Sequence, residues 1–301
     1  MKKTILSALA VVAMVSCSKS DETSFTQTDA EVRISSSIAT RTIANTWEAG
    51  DQIGVYMTTN GSETKFDLGT NVLYTTVKTD GAFASTTPLY FPSSGSVDLL
   101  AYYPYVAGTT ETPFAITSYP VSVATQTDQG AIDLMKSEVT GQSKSADAVV
   151  MKFDHKLSRI ALTIKNGGGV TESELEGLVV TLSGTKTTAT YDLPATSTPI
   201  AFDSETAAAD ITMLTAANGQ SAEAIVIPQS DLSATLTFTT TDNTYSAAIT
   251  TTEFVIGQEY NYTVTVNNTG ISISSPTING WDSDTNDTDN TLVASPVATV
   301  D

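Results

Sequence analysis

Cys17 is the one cysteine of this 301-residue chain, and its surroundings decide what chemistry it can carry. A lone cysteine forms no intrachain disulfide and supplies no thiolate cluster for zinc. Residues 1–3 form a basic start, residues 5–15 are apolar, and the small residue Ser16 precedes the cysteine. This order predicts a secretory signal peptide over residues 1–16, which is too short to span a bilayer as a helix.

The four residues that end at Cys17, Met14-Val15-Ser16-Cys17, resemble a lipobox. The resemblance implies that signal peptidase II cleaves between Ser16 and Cys17 and that the cysteine carries fatty acids such as palmitate. The alternative is an ordinary signal peptide with a cysteine near its end. The acidic residues 18–22 resemble the export signal that sends Bacteroidetes lipoproteins to the outer face. We therefore expect residues 17–31 to be a lipidated tether on the cell outer membrane.

His155 is the one histidine, and it lies in a strand-like stretch. A Ser-His-Asp arrangement would need a nucleophile in a sharp strand-to-helix turn, and the sequence has no such motif. We therefore predict a structural role for His155 and no catalytic residue, and we expect that the protein is not an enzyme. No motif points to a cofactor.

The acidic run 282–289 places oxygen ligands at spacings that suggest a calcium loop. Asp287, however, stands where an EF-hand loop needs glycine, and Val293 stands where it needs a bidentate glutamate. A solvated linker is the preferred interpretation, with weak calcium binding as the alternative. No metal ligand is predicted.

The net charge argues against nucleic acid as a partner, and the composition favours β-strands. The chain has 14 Lys and Arg against 33 Asp and Glu, a formal net charge of −19, which repels nucleic acid. Threonine is abundant, and its β-branch favours strands. Residues 32–40 alternate with a period of two, which is typical of a half-buried strand. Short strand-like segments recur along the chain, and only residues 130–136 and 171–176 look briefly helical.

These patterns predict an all-β protein with few short helices. We expect an N-terminal β-sandwich domain over residues 32–147 and a C-terminal one over residues 148–281. An acidic linker and a spare extended segment follow at 282–301.

Several motifs, in their order along nearly the whole chain, resemble the fimbrillin family, the lipoprotein subunits of Bacteroidales type V pili. The residues that carry the resemblance are the lipobox, Thr40-Arg41-Thr42, residues 47–57, Leu100-Ala101-Tyr102-Tyr103-Pro104-Tyr105, Asp133-Leu134-Met135, Phe153-Asp154-His155-Lys156-Leu157, Ile227-Pro228-Gln229 and Ile278-Asn279-Gly280-Trp281. The resemblance implies two transthyretin-like β-sandwich domains, assembly by strand exchange with neighbouring subunits, and a place in a fimbrium that supports adhesion.

The family mechanism implies that an Arg-specific protease removes the first strand, residues 32–40. Arg41 fits this cleavage, which would leave Thr42 as the new N-terminus. Arg33 is the alternative, although it lies within the strand, where pairing would shield it. A neighbouring subunit then supplies an extended segment that restores the sheet. The candidate donor residues in the tail are Leu292, Ala294, Val297 and Val300.

A second function remains open, in which the protein is a monomeric surface lipoprotein that binds glycans or host ligands. Trp47, Tyr102, Tyr103 and Tyr105 would stack on sugars in that case, whereas packing in a core explains them equally well. Host or bacterial surface ligands are candidate partners in either case. The sequence leaves the position in the pilus, whether shaft, tip or anchor, undecided.

Overall fold

The computed structural model describes residues 30–38, 47–62, 66–108 and 115–281. Several predicted site residues lie outside these ranges: Ser16, Cys17, Arg41, Thr42, Leu292, Ala294, Val297 and Val300. Within the described ranges, no helix has the length and apolar character that crossing a membrane requires.

Among the described residues, twenty strands make up nearly all of the regular structure. The first eight are β1 (Ile34–Ile38), β2 (Gln52–Thr59), β3 (Gly69–Thr76), β4 (Ala82–Ala84), β5 (Ser96–Tyr103), β6 (Tyr119–Ser122), β7 (Met135–Ser143) and β8 (Val149–His155). The other twelve are β9 (Ser158–Asn166), β10 (Val179–Lys186), β11 (Thr188–Tyr191), β12 (Ile200–Ala201), β13 (Ala208–Thr212), β14 (Leu214–Thr215), β15 (Ser221–Val226), β16 (Thr235–Thr239), β17 (Thr244–Ala248), β18 (Gln258–Asn267), β19 (Gly270–Ile273) and β20 (Thr277–Gly280).

The all-β prediction is confirmed, because the helical segments of the described chain are short 3-10 turns at Ile116–Ser118 and Glu172–Leu175. The second turn lies where a helical segment was expected, and a capping box between Thr171 and Glu174 starts it. The helical interpretation of residues 130–136 is wrong. Met135 instead begins β7, where it pairs with a residue on each neighbouring strand. Two long strands on either side impose an extended backbone that the local sequence does not reveal.

The N-terminal strands form a closed ring in the order β1-β4-β3-β2-β5-β7-β8. The ring closes because β1 runs antiparallel to β4 and parallel to β8. Alternate side chains of each strand point inward and form one apolar core. Its buried members are Val32, Ile34, Trp47, Ile53, Val55, Met57, Tyr74, Phe83, Leu89, Phe91, Val97, Leu99, Ala101, Met135, Val149, Met151 and Phe153.

The C-terminal strands form two larger sheets that share a second core. One sheet has the order β14-β15-β9-β18-β19, with β20 also paired to β18, and the other has the order β13-β10-β16-β17. Alternate residues of the central strand β18, from Tyr260 to Val266, are buried. They belong to the same buried cluster as Phe238 of the facing sheet. This packing of two sheets is that of a sandwich.

The boundary between the two units differs in detail from the expected division at residue 148. β8 follows that position, yet it pairs with β1 and β7 and so completes the ring. β6 lies before it, yet it pairs with β11 in a third, three-stranded sheet with β12. The chain therefore passes from the ring to the sandwich between His155 and Ser158.

Candidate strand-exchange site

The first strand is an internal member of the ring, with a paired neighbour on each side. Against β4, Ile34 lies opposite Phe83. Against β8, the pairing runs from Ile34 with Val149 to Ile38 with Phe153. Because β1 carries hydrogen bonds on both edges, its loss would leave the backbone groups of β4 and β8 without partners.

The inward face of β1, together with Val32 just before the strand, covers an apolar slot. Val32 and Ile34 are 0% and 2% exposed. The Tyr74 hydroxyl donates a hydrogen bond to the Val32 carbonyl at 3.1 Å and accepts one from the Leu89 N–H at 2.9 Å. Tyr74 thus links the strand to the wall of the ring, and the slot combines apolar contact with a buried polar anchor.

Hydrogen bonds extend this attachment on both sides of the strand. Upstream, the Val32 N–H donates to Leu89 O at 2.8 Å, and Phe91 N–H donates to Ala30 O at 2.9 Å. At the other end, Ser36 donates to Gly81 O twice, from its N–H at 2.8 Å and from its hydroxyl at 3.2 Å. The segment 30–38 is therefore built into the ring over its whole described length.

Gly81 lies directly against β1 in a conformation that suits glycine. Its φ is +74°, and a Cβ atom there would stand 2.0 Å from the Ser36 carbonyl oxygen. The turn between β3 and β4 approaches the strand this closely because no side chain intervenes. Gly81 is a residue of the site that sequence reasoning missed. By itself, the Thr-Asp-Gly sequence at 79–81 indicates only a turn.

We expect Gly81→Ala to weaken the attachment of β1. A positive φ alone costs an alanine about 1–2 kcal/mol, and displacing the Ser36 carbonyl should add about 1–3 kcal/mol, as overpacking does. Denaturant unfolding would measure the change. Gly61→Ala is the matched control, since Gly61 has φ +76° with nothing within 4 Å of its Cβ position. Equal losses in the two variants would contradict a steric role for Gly81.

Burial raises the pKa of Tyr74 to about 12. The hydrogen bond from the Leu89 N–H lowers this pKa, whereas the negative charges of Glu31 and ionised Tyr90 raise it further. A tyrosine whose pKa is raised on folding stabilises the folded state fully below its unfolded pKa, about 10. That contribution is lost as the pH rises toward 12.

We therefore expect the free energy of unfolding to fall more steeply between about pH 10 and pH 12 in the wild type than in Tyr74→Phe. The variant lacks the ionisable group, although it is less stable at neutral pH because it loses two hydrogen bonds. Urea unfolding across this pH range would measure both curves. Parallel curves would show that Tyr74 ionisation does not contribute.

The two arginines in the described ranges differ in the exposure of their side chains. The Arg33 side chain is exposed, but its carbonyl accepts a hydrogen bond from the Val149 N–H at 2.8 Å. Arg159 is 4% exposed and is paired with Glu223 and Glu259. The peptide bond after Arg33 is therefore held in the ring, and Arg159 is enclosed in the sandwich.

Of the four aromatic residues considered for sugar stacking, Trp47 and Tyr102 are buried, whereas Tyr103 and Tyr105 are partly exposed. Trp47 is 2% exposed and meets Phe83, Tyr103 and Phe153 edge to face, with ring centroids 4.9, 5.4 and 5.2 Å away. Tyr102 is 0% exposed. The faces of these two rings are covered, so stacking of a sugar on them is excluded in this conformation.

His155 is packed as a core residue. Its Nδ1 lies 2.7 Å from Asp133 Oδ1, and its ring stacks on Trp281 at a centroid distance of 4.1 Å. Trp281 directly follows β20 of the sandwich, and His155 is the last residue of β8 in the ring. This contact gives His155 a structural role in joining the two units.

Comparisons with known proteins agree with this architecture. Residues 40–281 match the model of a family described as fimbrillin-like. A protein of Bacteroides uniformis that carries the provisional name fimbrium subunit Fim1C is 36% identical over 290 residues, covering 90% of this chain and 92% of that protein.

Solved structures show the same fold. A Bacteroides uniformis protein described provisionally as a cell adhesion protein has a TM-score of 0.72 at 32% identity, covering 85% of this chain and 99% of that one. The tip fimbrial protein Mfa3 of Porphyromonas gingivalis, in a C-terminally truncated form, has a TM-score of 0.52 at 10% identity, covering 84% of this chain and 100% of that one. The latter likeness concerns the fold alone. Because the family model matches most of this chain, the chain belongs to the fimbrillin-like family of fimbrial subunits.

Proposed function

We propose that this fimbrial subunit is exported as a lipoprotein anchored through Cys17 and polymerises by protease-triggered strand exchange. An Arg-specific protease cuts between Arg41 and Thr42, and β1 leaves the ring. The tail of a neighbouring subunit then enters the vacated slot. The subunit passes from the cell outer membrane into a surface fimbrium.

The observation that carries this proposal is the position of the first segment: β1 is paired on both edges, and Ile34 and the preceding Val32 are buried. Its departure exposes two sheet edges and an apolar floor, which only another extended segment can satisfy together. Leu292 and Ala294 have the two-residue spacing of Val32 and Ile34. Because the slot and the tail are different surfaces, the contact is heterologous and propagates into a filament.

Cleavage after Arg41 is favoured over cleavage after Arg33. A protease binds its substrate as an extended, accessible chain, and the Arg33 carbonyl is already bonded to β8. Cleavage at Arg33 would also leave most of β1 in the ring, whereas cleavage at Arg41 frees the whole strand.

Treatment of the purified precursor with an Arg-specific protease should release an N-terminal peptide that ends at Arg41 and yield denaturant-resistant ladders. Arg41→Ala should remain an intact monomer, and Arg33→Ala, the matched control, should polymerise like the wild type. N-terminal sequencing of the processed subunit should give Thr42. Ladders from Arg41→Ala would reject the assigned cleavage site.

Deletion of residues 291–301 removes the proposed donor segment and leaves the acceptor slot and the cleavage site in place. The truncated subunit should be cleaved normally and should fail to form ladders with itself. A subunit that stays monomeric after complete cleavage, with its tail intact, would instead favour the function of a monomeric surface lipoprotein.

A further inference from the structure

The C-terminal tail of this chain repeats the sequence of its first strand. Residues 32–40 and residues 291–299 align without a gap, so that Ser36-Ser37-Ile38-Ala39-Thr40 corresponds to Ser295-Pro296-Val297-Ala298-Thr299. Three of the nine positions are identical, and three more hold a β-branched residue in both segments. The tail lies outside the described residues, whereas the first segment is described up to Ile38. The slot that the first segment fills therefore shows what each position of the tail has to match.

The slot has its own requirement at each of four inward positions, which are those of Val32, Ile34, Ser36 and Ile38. The first two side chains are buried in the apolar core of the ring, and Ile38 packs against the same core. Ser36 is buried as well, but its N–H and its hydroxyl both donate to the Gly81 carbonyl. A larger apolar side chain in place of Ser36 would lose the hydroxyl bond and overpack a point where Gly81 has no room for a Cβ atom. The third inward position therefore takes a small polar side chain, and the other three take apolar ones.

The tail meets these requirements in the register of the alignment. The residues that take the places of Val32, Ile34, Ser36 and Ile38 are Thr291, Val293, Ser295 and Val297. Three β-branched side chains then face the core, and a serine hydroxyl again lies at the Gly81 carbonyl. The Ala-Thr pair that follows in both segments favours the chain direction of β1, which is antiparallel to β4 and parallel to β8.

Registers that turn Leu292 and Ala294 inward match the slot less well. Leu292 at the first inward position puts Pro296 at the third, where proline has no N–H to donate to the Gly81 carbonyl. Leu292 at the second inward position puts Asn290 at the first, which is fully buried in the core. An asparagine amide has more hydrogen-bonding groups to satisfy there than a threonine hydroxyl has. The two-residue spacing of Leu292 and Ala294 alone does not decide the register, whereas these two positions do.

Pro296 lies at an outward position in the register of the alignment. It takes the place of Ser37, which is exposed and lies opposite Lys152 of β8. The Val149 N–H donates to the Arg33 carbonyl, so every second residue from Arg33 onward, including Ser37, turns its backbone groups toward β8. Proline at this place loses one hydrogen bond to β8 and leaves the bonds on the β4 side intact.

We propose that the partner of this subunit is a second copy of the same chain, whose residues 291–299 replace residues 32–40 in the same register and direction. A tail that repeats a subunit's own first strand fits the slot of that subunit, so donor and acceptor are of one type and the filament is a homopolymer. This inference rests on the proposed strand exchange. It adds the identity of the partner, the register, and a role for Ser295 as the residue that meets Gly81.

Two grafts in the full-length precursor test the fit of the tail without requiring assembly. In the first, residues 32–40 are replaced by the sequence of residues 291–299. In the second, the matched control, they are replaced by the sequence of residues 292–300, which shifts the register by one residue and turns Ala294 and Pro296 into the slot. Both grafts keep Arg41, so the grafted strand can be cut from the rest of the chain.

The in-register graft should fold and should hold its cleaved strand. The shifted graft should unfold at a lower urea concentration and should release its strand at least about tenfold faster, because small side chains leave cavities under it. Urea unfolding and size-exclusion chromatography after timed cleavage measure the two effects. An in-register graft that fails to fold, or that releases its strand as fast as the shifted graft, overturns the register.

Ladder formation by the purified chain alone tests the partner. Val293→Lys places a charge at the second inward position, so it should be cleaved normally and form no ladders. Pro296→Ser reproduces Ser37 at an outward position and should form ladders like the wild type. Ladders from Val293→Lys would overturn the register and leave strand exchange standing. If the wild type forms none by itself after complete cleavage, the proposed self-assembly fails, and the second copy as partner is rejected with it.

Discussion

Arg159→Ala is expected to lower the free energy of unfolding by about 3–5 kcal/mol, the cost of breaking a buried ion pair from one side. Arg159 Nη1 donates to Glu259 Oε2 at 2.9 Å, and Nη2 pairs with Glu223 Oε2. Removal of the guanidinium would break the ion pair with Glu259, a carboxylate that is 9% exposed and would stay buried. Urea unfolding, followed by far-UV circular dichroism, would measure the loss.

Lys156→Ala is the control on the same stretch of chain. Lys156 pairs with Asp154 at 3.5 Å, and the pair is open to solvent through Asp154, whose side chain is 45% exposed against 19% for Lys156. An exposed pair contributes about 0–1 kcal/mol, so this variant should be nearly as stable as the wild type. A loss in Arg159→Ala no larger than that of Lys156→Ala would show that the pairing with Glu223 and Glu259 contributes little.

The importance of Arg159 cannot be predicted from its local sequence. The apolar alternation of Ile160, Leu162 and Ile164 in β9 indicates which face packs on the core, and it places Arg159 on the other face. Arg159 is nevertheless buried, and the flanking strands β15 and β18 bring Glu223 and Glu259 beside it. These partners are 64 and 100 residues away in the chain.

For the first strand, in contrast, the local pattern is enough to predict which side chains are buried. The period of two over residues 32–40 predicts which side chains face inward, and Val32 and Ile34 are indeed buried. The pattern does not predict which strands are neighbours. The pairing of β1 with β8, more than a hundred residues later, depends on the closure of the ring, a property of the whole sheet.

The burial of Trp47 and Tyr102 could not be predicted from the sequence for a similar reason. The sequence leaves open whether these rings are available for sugar stacking, whereas the fold covers both of them. Gln126 lies in a polar segment that is typical of a loop. Its buried position depends on hydrogen bonds with the backbone of Ile225, 99 residues away.

The strand-exchange proposal depends on how much the inward face of β1 contributes to the ring. Ile34 packs among the buried residues of the ring core, so a smaller side chain there leaves a cavity under the strand. Ser37, on the same strand, faces solvent opposite Lys152 of β8. The two positions therefore separate the contribution of the apolar slot from that of the backbone pairing, which both variants keep.

Ile34→Ala should lower the free energy of unfolding by about 2–5 kcal/mol, while Ser37→Ala should stay within about 0.5 kcal/mol of the wild type. With Arg41 intact, Ile34→Ala should also release its cleaved N-terminal peptide faster, since the slot holds the strand less tightly. Urea unfolding measures the first effect, and size-exclusion chromatography after timed protease treatment measures the second. If release is equally fast in the two variants, the side chains of β1 do not hold it in place. The apolar slot would then provide little energy for capturing a neighbour's tail, and polymerisation would depend on backbone pairing alone.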